Sequence, residues 1–350
     1  MEKKRLKVTL LTNSFTGGGA ERASNTLANA LFDLDVETSI IAVNSGPEDL
    51  IKPLCEEYCL ERPWKGGLWT TVKAYLRLSR LVYRIKPNFL IINCDLPELL
   101  ASFLFTSSKL IVVEHSSGPW PGKRHLGVFV RRLLKIRNAQ FVAVSSHLGI
   151  WPEKSRPAAF FNNALPRSNR LVSSAKQTNT GLKRLVFIGR LSSEKNPQYL
   201  TEISEKTNIP CAFFGDGIML EDLKSLSEKL NVKVDFFGHV KDPWEYLEEN
   251  DLLIIPSEFE GDGLVLVEGL FNNVPMLVRK IDDLLRFDLP AKNYCNSIED
   301  FIARVDEYSA NIDSLRIPES IAEKILEGRK PKVIAQQWVE YLKKSYAFKS

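Results

Sequence analysis

The feature that most constrains the fold is an alternation, repeated in both halves of the chain, of short apolar runs and amphipathic stretches. The apolar runs are five to seven residues long and rich in Val, Ile and Phe, as in KVTLLT at 7–12 and DLLIIP at 251–256. Continuous apolar runs of this length are typical of parallel strands buried on both faces. Their alternation with helices predicts an α/β fold with two doubly wound parallel sheets.

A polar stretch separates the predicted elements into two groups. Strands are expected at 7–12, 38–43, 89–94, 109–115, 141–145, 184–189, 211–215, 234–238, 251–256 and 274–278. Helices are expected at 20–33, 69–86, 123–137, 219–230, 263–272 and 332–346. Residues 166–183 are polar and without periodicity, which is typical of a linker. We therefore expect domains at 1–165 and 184–331, with the terminal segment 332–350 packing back on the first.

Composition excludes several classes of protein. Hydrophobic residues make up 44% and charged residues 26% of the 350-residue chain, which is typical of a globular protein. No apolar stretch approaches the ~20 residues that span a bilayer, and the N-terminal apolar run leads into a glycine cluster and not into a cleavage site. The five cysteines include no Cys-x-x-Cys pair, which argues against a disulfide scaffold or structural zinc and favours a reducing cytosol.

The charge is distributed unevenly between the two halves. Residues 1–165 contain 22 basic and 14 acidic residues, and the remainder contains 25 basic and 29 acidic residues. This indicates that the first half faces an anionic surface or acceptor, and a chance distribution over two solvated surfaces is the alternative. The basic amphipathic helix at 123–137 predicts contact with an anionic membrane or with a lipid-linked or phosphorylated glycan. A core-packed helix with a solvated basic face is an alternative of at least equal weight.

A glycine-rich loop, TNSFTGGGAER at 12–22, follows the first predicted strand and opens a helix. Its glycines let backbone amides approach a ligand, and a helix N-terminus favours negative charge. The loop is neither the dinucleotide fingerprint nor the P-loop. It predicts an anion site, and a tight turn without a ligand is the alternative.

A basic turn, GRLSSEKN at 189–196, follows the first strand of the second half. Arg190 and Lys195 flank the turn at the carboxyl end of the strand. A guanidinium grips two oxygens and an ammonium adds a point charge, so the pair suits a diphosphate. A solvated basic turn is the alternative.

Two glutamates lie in PSEFEGDGLVLVEGL at 256–270. Glu260 is expected in the loop and Glu268 inside the following apolar helix, where its burial costs free energy unless it accepts hydrogen bonds. Ribose hydroxyls are suitable donors, and the backbone N–H groups at 263–265 form a further anion site. The alternative is a solvated acidic loop before a capped core helix.

These motifs, with GGGAER, FFGDG and FFGHVKD in the same order, resemble glycosyltransferase family 4. The resemblance covers most of the chain and is most specific over 184–275. It implies the GT-B fold, in which two Rossmann-like domains face each other across a cleft. It also implies a retaining, nucleotide-sugar-dependent transferase that needs no cofactor and no metal.

The resemblance also implies roles for individual residues. Arg190 and Lys195 match the pair that holds the donor diphosphate, Glu260 the glutamate on the donor-sugar hydroxyls, and Glu268 the glutamate on the ribose. His115 matches a histidine facing the donor sugar, and an ordinary strand-end histidine is the alternative. The other implied donor-binding positions are Gly18, Gly19, Gly263, Leu264, Val265, His239, Val240 and Asn163.

This chain departs from the family's pattern at three places. Asp262 stands where an aromatic residue is usual, Asn162-Asn163-Ala164 replaces Pro-Asn-Gly, and NNVPMLVRKIDD lacks the usual Gly-Gly. The donor-sugar preference and the role of Asn163 therefore stay open.

The expected function is transfer of a sugar, from a UDP-linked donor, to a glycan or lipid-linked acceptor in bacterial surface polysaccharide or lipopolysaccharide synthesis. The expected location is the cytoplasm, with contact to the inner membrane through 123–137, and no nucleic-acid partner is expected. A non-catalytic nucleotide-sugar-binding subunit and an epimerase or phosphorylase of the same fold are the alternatives.

Overall fold

The computed structural model describes residues 5–16, 18–46, 54–116, 118–165 and 181–347. The chain divides into two compact units, unit 1 with Met1–Arg167 and Gly328–Ser350, and unit 2 with Ser168–Glu327. Most of the predicted linker, 166–180, lies outside the described residues. The end of that linker is attached to unit 2, because Leu182 N donates a hydrogen bond to the Ser309 carbonyl.

Unit 1 contains a six-stranded parallel sheet. Its strands are β1 (Lys7–Thr12), β2 (Glu37–Asn44), β3 (Glu56–Arg62), β4 (Phe89–Asn93), β5 (Lys109–Glu114) and β6 (Gln140–Ala143), in the order β3-β2-β1-β4-β5-β6. Its helices are α1 (Gly19–Phe32), α2 (Leu68–Ile85), α3 (Asp95–Ser102) and α4 (Arg124–Ile136). The central strands are fully buried, as at Leu10 and Ile91, as expected of a sheet covered on both faces.

Unit 2 contains a second six-stranded parallel sheet. Its strands are β7 (Arg184–Ile188), β8 (Cys211–Phe214), β9 (Val234–Gly238), β10 (Asp251–Ile255), β11 (Met276–Arg279) and β12 (Tyr294–Cys295), in the order β12-β11-β10-β7-β8-β9. Its helices are α5 (Gln198–Thr207), α6 (Leu220–Lys229), α7 (Leu264–Phe271), α8 (Asp282–Leu285), α9 (Ile298–Tyr308) and α10 (Glu319–Glu327). In each sheet the first strand lies between the second and the fourth, which is the Rossmann order. The predicted fold class is confirmed.

The last helix, α11 (Pro331–Ala347), belongs to unit 1 and packs against α1. Its Trp338 ring stacks on Phe161 with 4.3 Å between ring centroids. Tyr341 Oη donates to Gln140 Oε1 at 3.0 Å. These contacts join α11 to β6 and to the segment that follows it. Within the described ranges, every helix is too short or too polar to cross a bilayer.

Candidate functional site

Two loops of unit 2 meet at the carboxyl edge of its sheet, because β7 and β10 are neighbouring strands. Lys195, at the end of a short 3-10 helix after β7, has its Nζ 2.7 Å from Glu260 Oε1 in the loop after β10. Ser257 Oγ donates to the same oxygen at 2.8 Å. Glu258 N donates to the Glu194 carbonyl at 2.9 Å, which joins the two backbones. Lys195 and Glu260, distant in sequence, therefore form one charged pair.

Arg190 lies on the same loop, and its side chain is exposed. Close packing against the loop after β8 fixes the backbone around it. Gly189 N donates to the Phe214 carbonyl at 2.9 Å, and Leu191 N donates to the Asp216 carbonyl at 3.0 Å. A Cβ at Gly215, where φ is +146°, would lie 1.8 Å from the Gly189 carbonyl oxygen, so this position requires glycine.

The start of α7 supplies the backbone groups that the sequence predicts. Gly263 precedes the helix in a left-handed conformation with φ +63°, and Leu264 and Val265 form its first turn, where amide N–H groups lack helical partners. Glu268 is buried in this helix, and its Oε2 accepts a hydrogen bond from Trp244 Nε1 at 2.8 Å. The indole therefore supplies one of the partners that a buried carboxylate needs.

Three charged residues in or near the loop after β10 were not predicted as site residues: Asp262, Asp283 and Arg286. Asp262 is buried, and its Oδ1 lies 2.9 Å from Arg286 Nη2, while the Arg286 guanidinium lies 4.8 Å from the ring centre of Phe287. Asp283 Oδ2 accepts a hydrogen bond from Glu260 N at 3.2 Å. Asp283 and Arg286 both follow β11 along the chain. Ligand sites of open α/β sheets form at the carboxyl ends of the strands, so this position could have identified both residues from the sequence.

The remaining predicted residue pair of unit 2 lies after β9. His239 is exposed, and Val240 is half-buried against a small apolar cluster that includes Val186 and Phe214.

In unit 1, the predicted residues lie near the carboxyl ends of β1, β4 and β5. Gly18 is the extended N-cap of α1 and Gly19 its first residue, whereas Gly17 lies outside the described residues. His115 directly follows β5, and its Nε2 lies 2.8 Å from Asn93 Oδ1 at the end of β4. Asn93 was not predicted as a site residue, although its position at the carboxyl end of a strand could have identified it from the sequence.

A pocket of about 20 Å³, enough for roughly one water molecule, adjoins this pair in unit 1. His115, Asn93 and Asn163 are among its lining residues, with side chains of α1 and α11. Asn163 O accepts a hydrogen bond from Arg329 Nη1 at 3.3 Å. Among the described residues, Asn93 Nδ2 and both side-chain polar atoms of Asn25 are buried without a hydrogen-bond partner.

A buried ion cluster underlies the same part of unit 1. Arg131 of α4 contacts Glu98 of α3 at 2.7 Å and Glu114 of β5 at 2.5 Å, and all three side chains are at most 2% exposed. Trp120 Nε1 and Trp151 N donate to the two carboxylates at 3.1 and 3.2 Å. The predicted basic helix 123–137 therefore directs one of its cations into the interior of the unit.

Asp95, at the start of α3, adjoins this cluster. Its Oδ2 accepts a hydrogen bond from Trp120 N at 3.0 Å. Burial, with a smaller contribution from the Glu98 carboxylate, raises the pKa of Asp95 from 3.8 to about 6. Because the folded state holds the proton more tightly than the unfolded state, ionisation of Asp95 makes the protein less stable as the pH rises from about 4 to above 6.

We expect Asp95→Asn to relieve this loss. The amide oxygen still accepts the Trp120 hydrogen bond, but the side chain no longer ionises. Denaturant unfolding at pH 5 and at pH 7.5 gives the free energy of unfolding of the variant and of the unaltered protein. The advantage of the variant should be about 1 kcal/mol larger at pH 7.5 than at pH 5. Asp33→Asn, on the surface of the same unit, controls for the loss of a carboxylate. A gain that is equal at both pH values contradicts the assigned pKa.

No group of three or more His, Cys, Asp or Glu side chains that could hold a metal ion occurs in the described ranges. The expectation of a metal-independent reaction stays a prediction.

Comparisons with known proteins match the region that contains Lys195 and Glu260. Residues 170–287 match the family model "Glycosyl transferases group 1". The chain is 26% identical over 283 residues to a Campylobacter jejuni protein named GalNAc-alpha-(1->4)-GalNAc-alpha-(1->3)-diNAcBac-PP-undecaprenol alpha-1,4-N-acetyl-D-galactosaminyltransferase, covering 77% of this chain and 78% of that one. It is 29% identical over 157 residues to the Escherichia coli UDP-Gal:alpha-D-GlcNAc-diphosphoundecaprenol alpha-1,3-galactosyltransferase, covering 40% and 38%.

Solved structures share the fold. HepE from Anabaena, in complex with UDP and glucose, has a TM-score of 0.73 at 15% identity, covering 97% of this chain and all of that one. Sucrose-phosphate synthase from Thermosynechococcus elongatus has the same TM-score at 14% identity, covering 97% and 99%. The two sheets of this chain are thus those of the GT-B fold, and the residues that match the Glycosyl transferases group 1 model lie in its second unit.

Proposed function

We propose that the protein is a retaining glycosyltransferase of family 4 that moves a sugar from a UDP-linked donor to a hydroxyl of a lipid-linked glycan in bacterial surface-glycan synthesis. The observation that carries the proposal is the Lys195–Glu260 pair, 2.7 Å apart, within the matched group 1 domain. The lipid-linked acceptor is inferred from relatives whose names include diphosphoundecaprenol.

The donor diphosphate is proposed to bind Arg190, Lys195 and the amide N–H groups at the start of α7. Arg190 is exposed on its loop and Lys195 is held by Glu260, so both cations lie at the carboxyl edge of the sheet. Negative charge develops on the diphosphate as the bond to the sugar breaks. Positive charges and oriented amides stabilise it without a metal ion, since they are in position before the bond breaks.

The two glutamates are proposed to recognise the sugar rings. Glu260 accepts hydrogen bonds from donor-sugar hydroxyls, and Glu268 accepts them from the ribose. The acceptor hydroxyl attacks on the face that the diphosphate leaves, and a phosphate oxygen takes its proton, so the configuration is retained. His115, Gly18, Gly19 and Asn163 of unit 1 and His239 and Val240 of unit 2 remain proposed contacts.

Incubation with nucleotide sugars tests the activity. We expect release of UDP that an undecaprenyl-diphosphate-linked glycan accelerates, with a new glycosidic bond in the product. Nuclear magnetic resonance of the product distinguishes transfer with retention from inversion and from epimerisation of the donor. The absence of transfer with every common nucleotide sugar, from protein with a cooperative unfolding transition, contradicts the proposal.

Binding of the ribose makes a separate prediction. Glu268→Gln should weaken UDP binding about tenfold, since a hydrogen bond to a charged acceptor contributes about 1.5 kcal/mol. Isothermal titration calorimetry measures the dissociation constant. Glu228→Gln, exposed on α6, is the matched control. Equal affinities of the two variants contradict the role of Glu268, and the unfolding transition of each reports whether loss of the Trp244 contact has altered the fold.

A non-catalytic nucleotide-sugar-binding subunit is the second candidate. The buried Asp262–Arg286 pair, where the resemblance expects an aromatic side chain, favours it. This alternative predicts donor binding without turnover, and binding that Glu260→Ala leaves unchanged.

A further inference from the structure

We propose that the outward surface of α2, together with residues 103–105 beside it, rests on an anionic lipid bilayer. This surface, which we call the α2 face, has not been used by any residue assigned above. The proposal goes beyond glycosyl transfer and does not depend on it.

An apolar stripe runs along the solvent side of α2. Ala74, Leu78 and Val82 are the buried residues of this helix. Trp69 and Tyr83, two heptads apart, lie on the opposite side, because residues spaced by seven share one helix face. Trp69 is 80% and Tyr83 79% exposed, with Leu76 between them at 46%. Trp and Tyr are the residues enriched at membrane–water interfaces.

A neighbouring loop extends this stripe. Tyr75 Oη donates to the Phe103 carbonyl at 3.0 Å, which holds the end of α3 against α2. Phe105 in this loop is 97% exposed, and Leu68 at the start of α2 is 77% exposed. Side chains of this size rarely gather on the solvent side of a monomer, so an exposed apolar cluster indicates an interaction surface.

The charges of the α2 face select an anionic partner. Residues 64–86 contain six Lys or Arg and no Asp or Glu. Arg77 pairs with Glu61 at 2.7 Å, but Lys73 and Arg80 are exposed beside the stripe. Each basic side chain near an anionic membrane contributes about 1 kcal/mol to binding. A second copy of the chain is a poorer partner, because a two-fold contact would bring like charges together.

The structure favours α2 over the basic helix α4 for this contact. In α4 and the residue after it, Arg131 is buried with two carboxylates, Lys135 pairs with Glu153 at 2.6 Å, and Arg137 donates to the Ala101 and Ser102 carbonyls. Several cations that made 123–137 a candidate therefore serve contacts inside unit 1.

Flotation with vesicles of phosphatidylcholine, with or without phosphatidylglycerol, tests the α2 face. The unaltered protein should bind only the mixed vesicles, and less as salt is raised. The variant K73E/R80E should bind at least about 30-fold more weakly, because loss of two cations alone predicts that factor and the two new carboxylates are repelled by the anionic bilayer. W69S/Y83S should bind at least about tenfold more weakly at unchanged charge. K229E/K233E, exposed in unit 2, has the same change of charge and should bind normally.

Three outcomes overturn the proposal. One is that the unaltered protein binds no better to mixed vesicles than to neutral ones. Another is that both α2 variants bind like K229E/K233E. A third is that R124E/R132E, on α4, loses binding while the α2 variants keep it. The midpoint of thermal unfolding, measured on the same samples, is expected to be unchanged and shows that a loss of binding is not a loss of fold.

Discussion

Replacing Lys195 by methionine is expected to lower the turnover of the nucleotide-sugar donor by about two to three orders of magnitude. Methionine keeps most of the side-chain volume but removes the ammonium group proposed to stabilise charge on the leaving diphosphate. It also leaves Glu260, whose Oε1 lies 2.7 Å from Nζ in the folded protein, without this cation. The measurement is the initial rate of UDP release at saturating donor and acceptor.

Lys229→Met, at the exposed end of α6, is the matched control and should retain the normal rate. Lys195→Arg should recover part of the activity, because the charge returns in a different shape. A Lys195→Met enzyme that keeps more than about a third of its turnover would show that the pair with Glu260 is only structural. The midpoint of thermal unfolding, measured for each variant, separates loss of chemistry from loss of fold.

Arg131→Met is expected to destabilise the protein by about 3 to 5 kcal/mol, the typical cost of removing one partner from a buried ion pair. Two carboxylates, Glu98 and Glu114, would remain in the interior without the cation that contacts both. Burial already raises the pKa of Glu114. Without the Arg131 cation, this carboxylate should therefore take up a proton more readily in the folded state. Denaturant unfolding at pH 7 measures the change in free energy.

Arg132→Met, one residue further on the exposed side of α4, is the control and should change stability by less than about 0.5 kcal/mol. A triple variant with Arg131→Met, Glu98→Gln and Glu114→Gln should be more stable than Arg131→Met alone, because no unpaired charge remains. If the single and triple variants are equally unstable, lost packing and not charge dominates.

The sequence predicted every strand of the two sheets except one edge strand of each, β3 and β12. Strands such as β4 are buried on both faces, so their residues form a continuous apolar run that is visible without any tertiary information. The edge strand β3 reads EEYCLER and buries only Leu60, so nothing in its pattern demands a sheet. The two residues of β12 are too few to form a pattern at all.

Most of the predicted site residues lie near the carboxyl ends of strands. The α/β fold class alone predicts a ligand site at these positions. The hydrogen-bond partner of Glu268 could not be predicted, because Trp244 lies in a different segment of the chain that shares no periodicity with α7. The Asp262–Arg286 pair was missed for the same reason. The same holds for Arg131, which looks like one more cation on a basic helix until α3 and β5 are folded against it. Periodicity reports which face is buried but not which charge is neutralised there.

The return of α11 to unit 1 has a consequence for how the protein can be divided. Unit 2 is one uninterrupted stretch of the chain, whereas unit 1 is formed by residues before and after unit 2. Trp338 of the last helix, for example, stacks on Phe161. A ribosome therefore finishes every residue of unit 2 before the first unit can gain its final helix. A premature stop codon between unit 2 and α11 would release a chain whose unit 1 lacks its last helix.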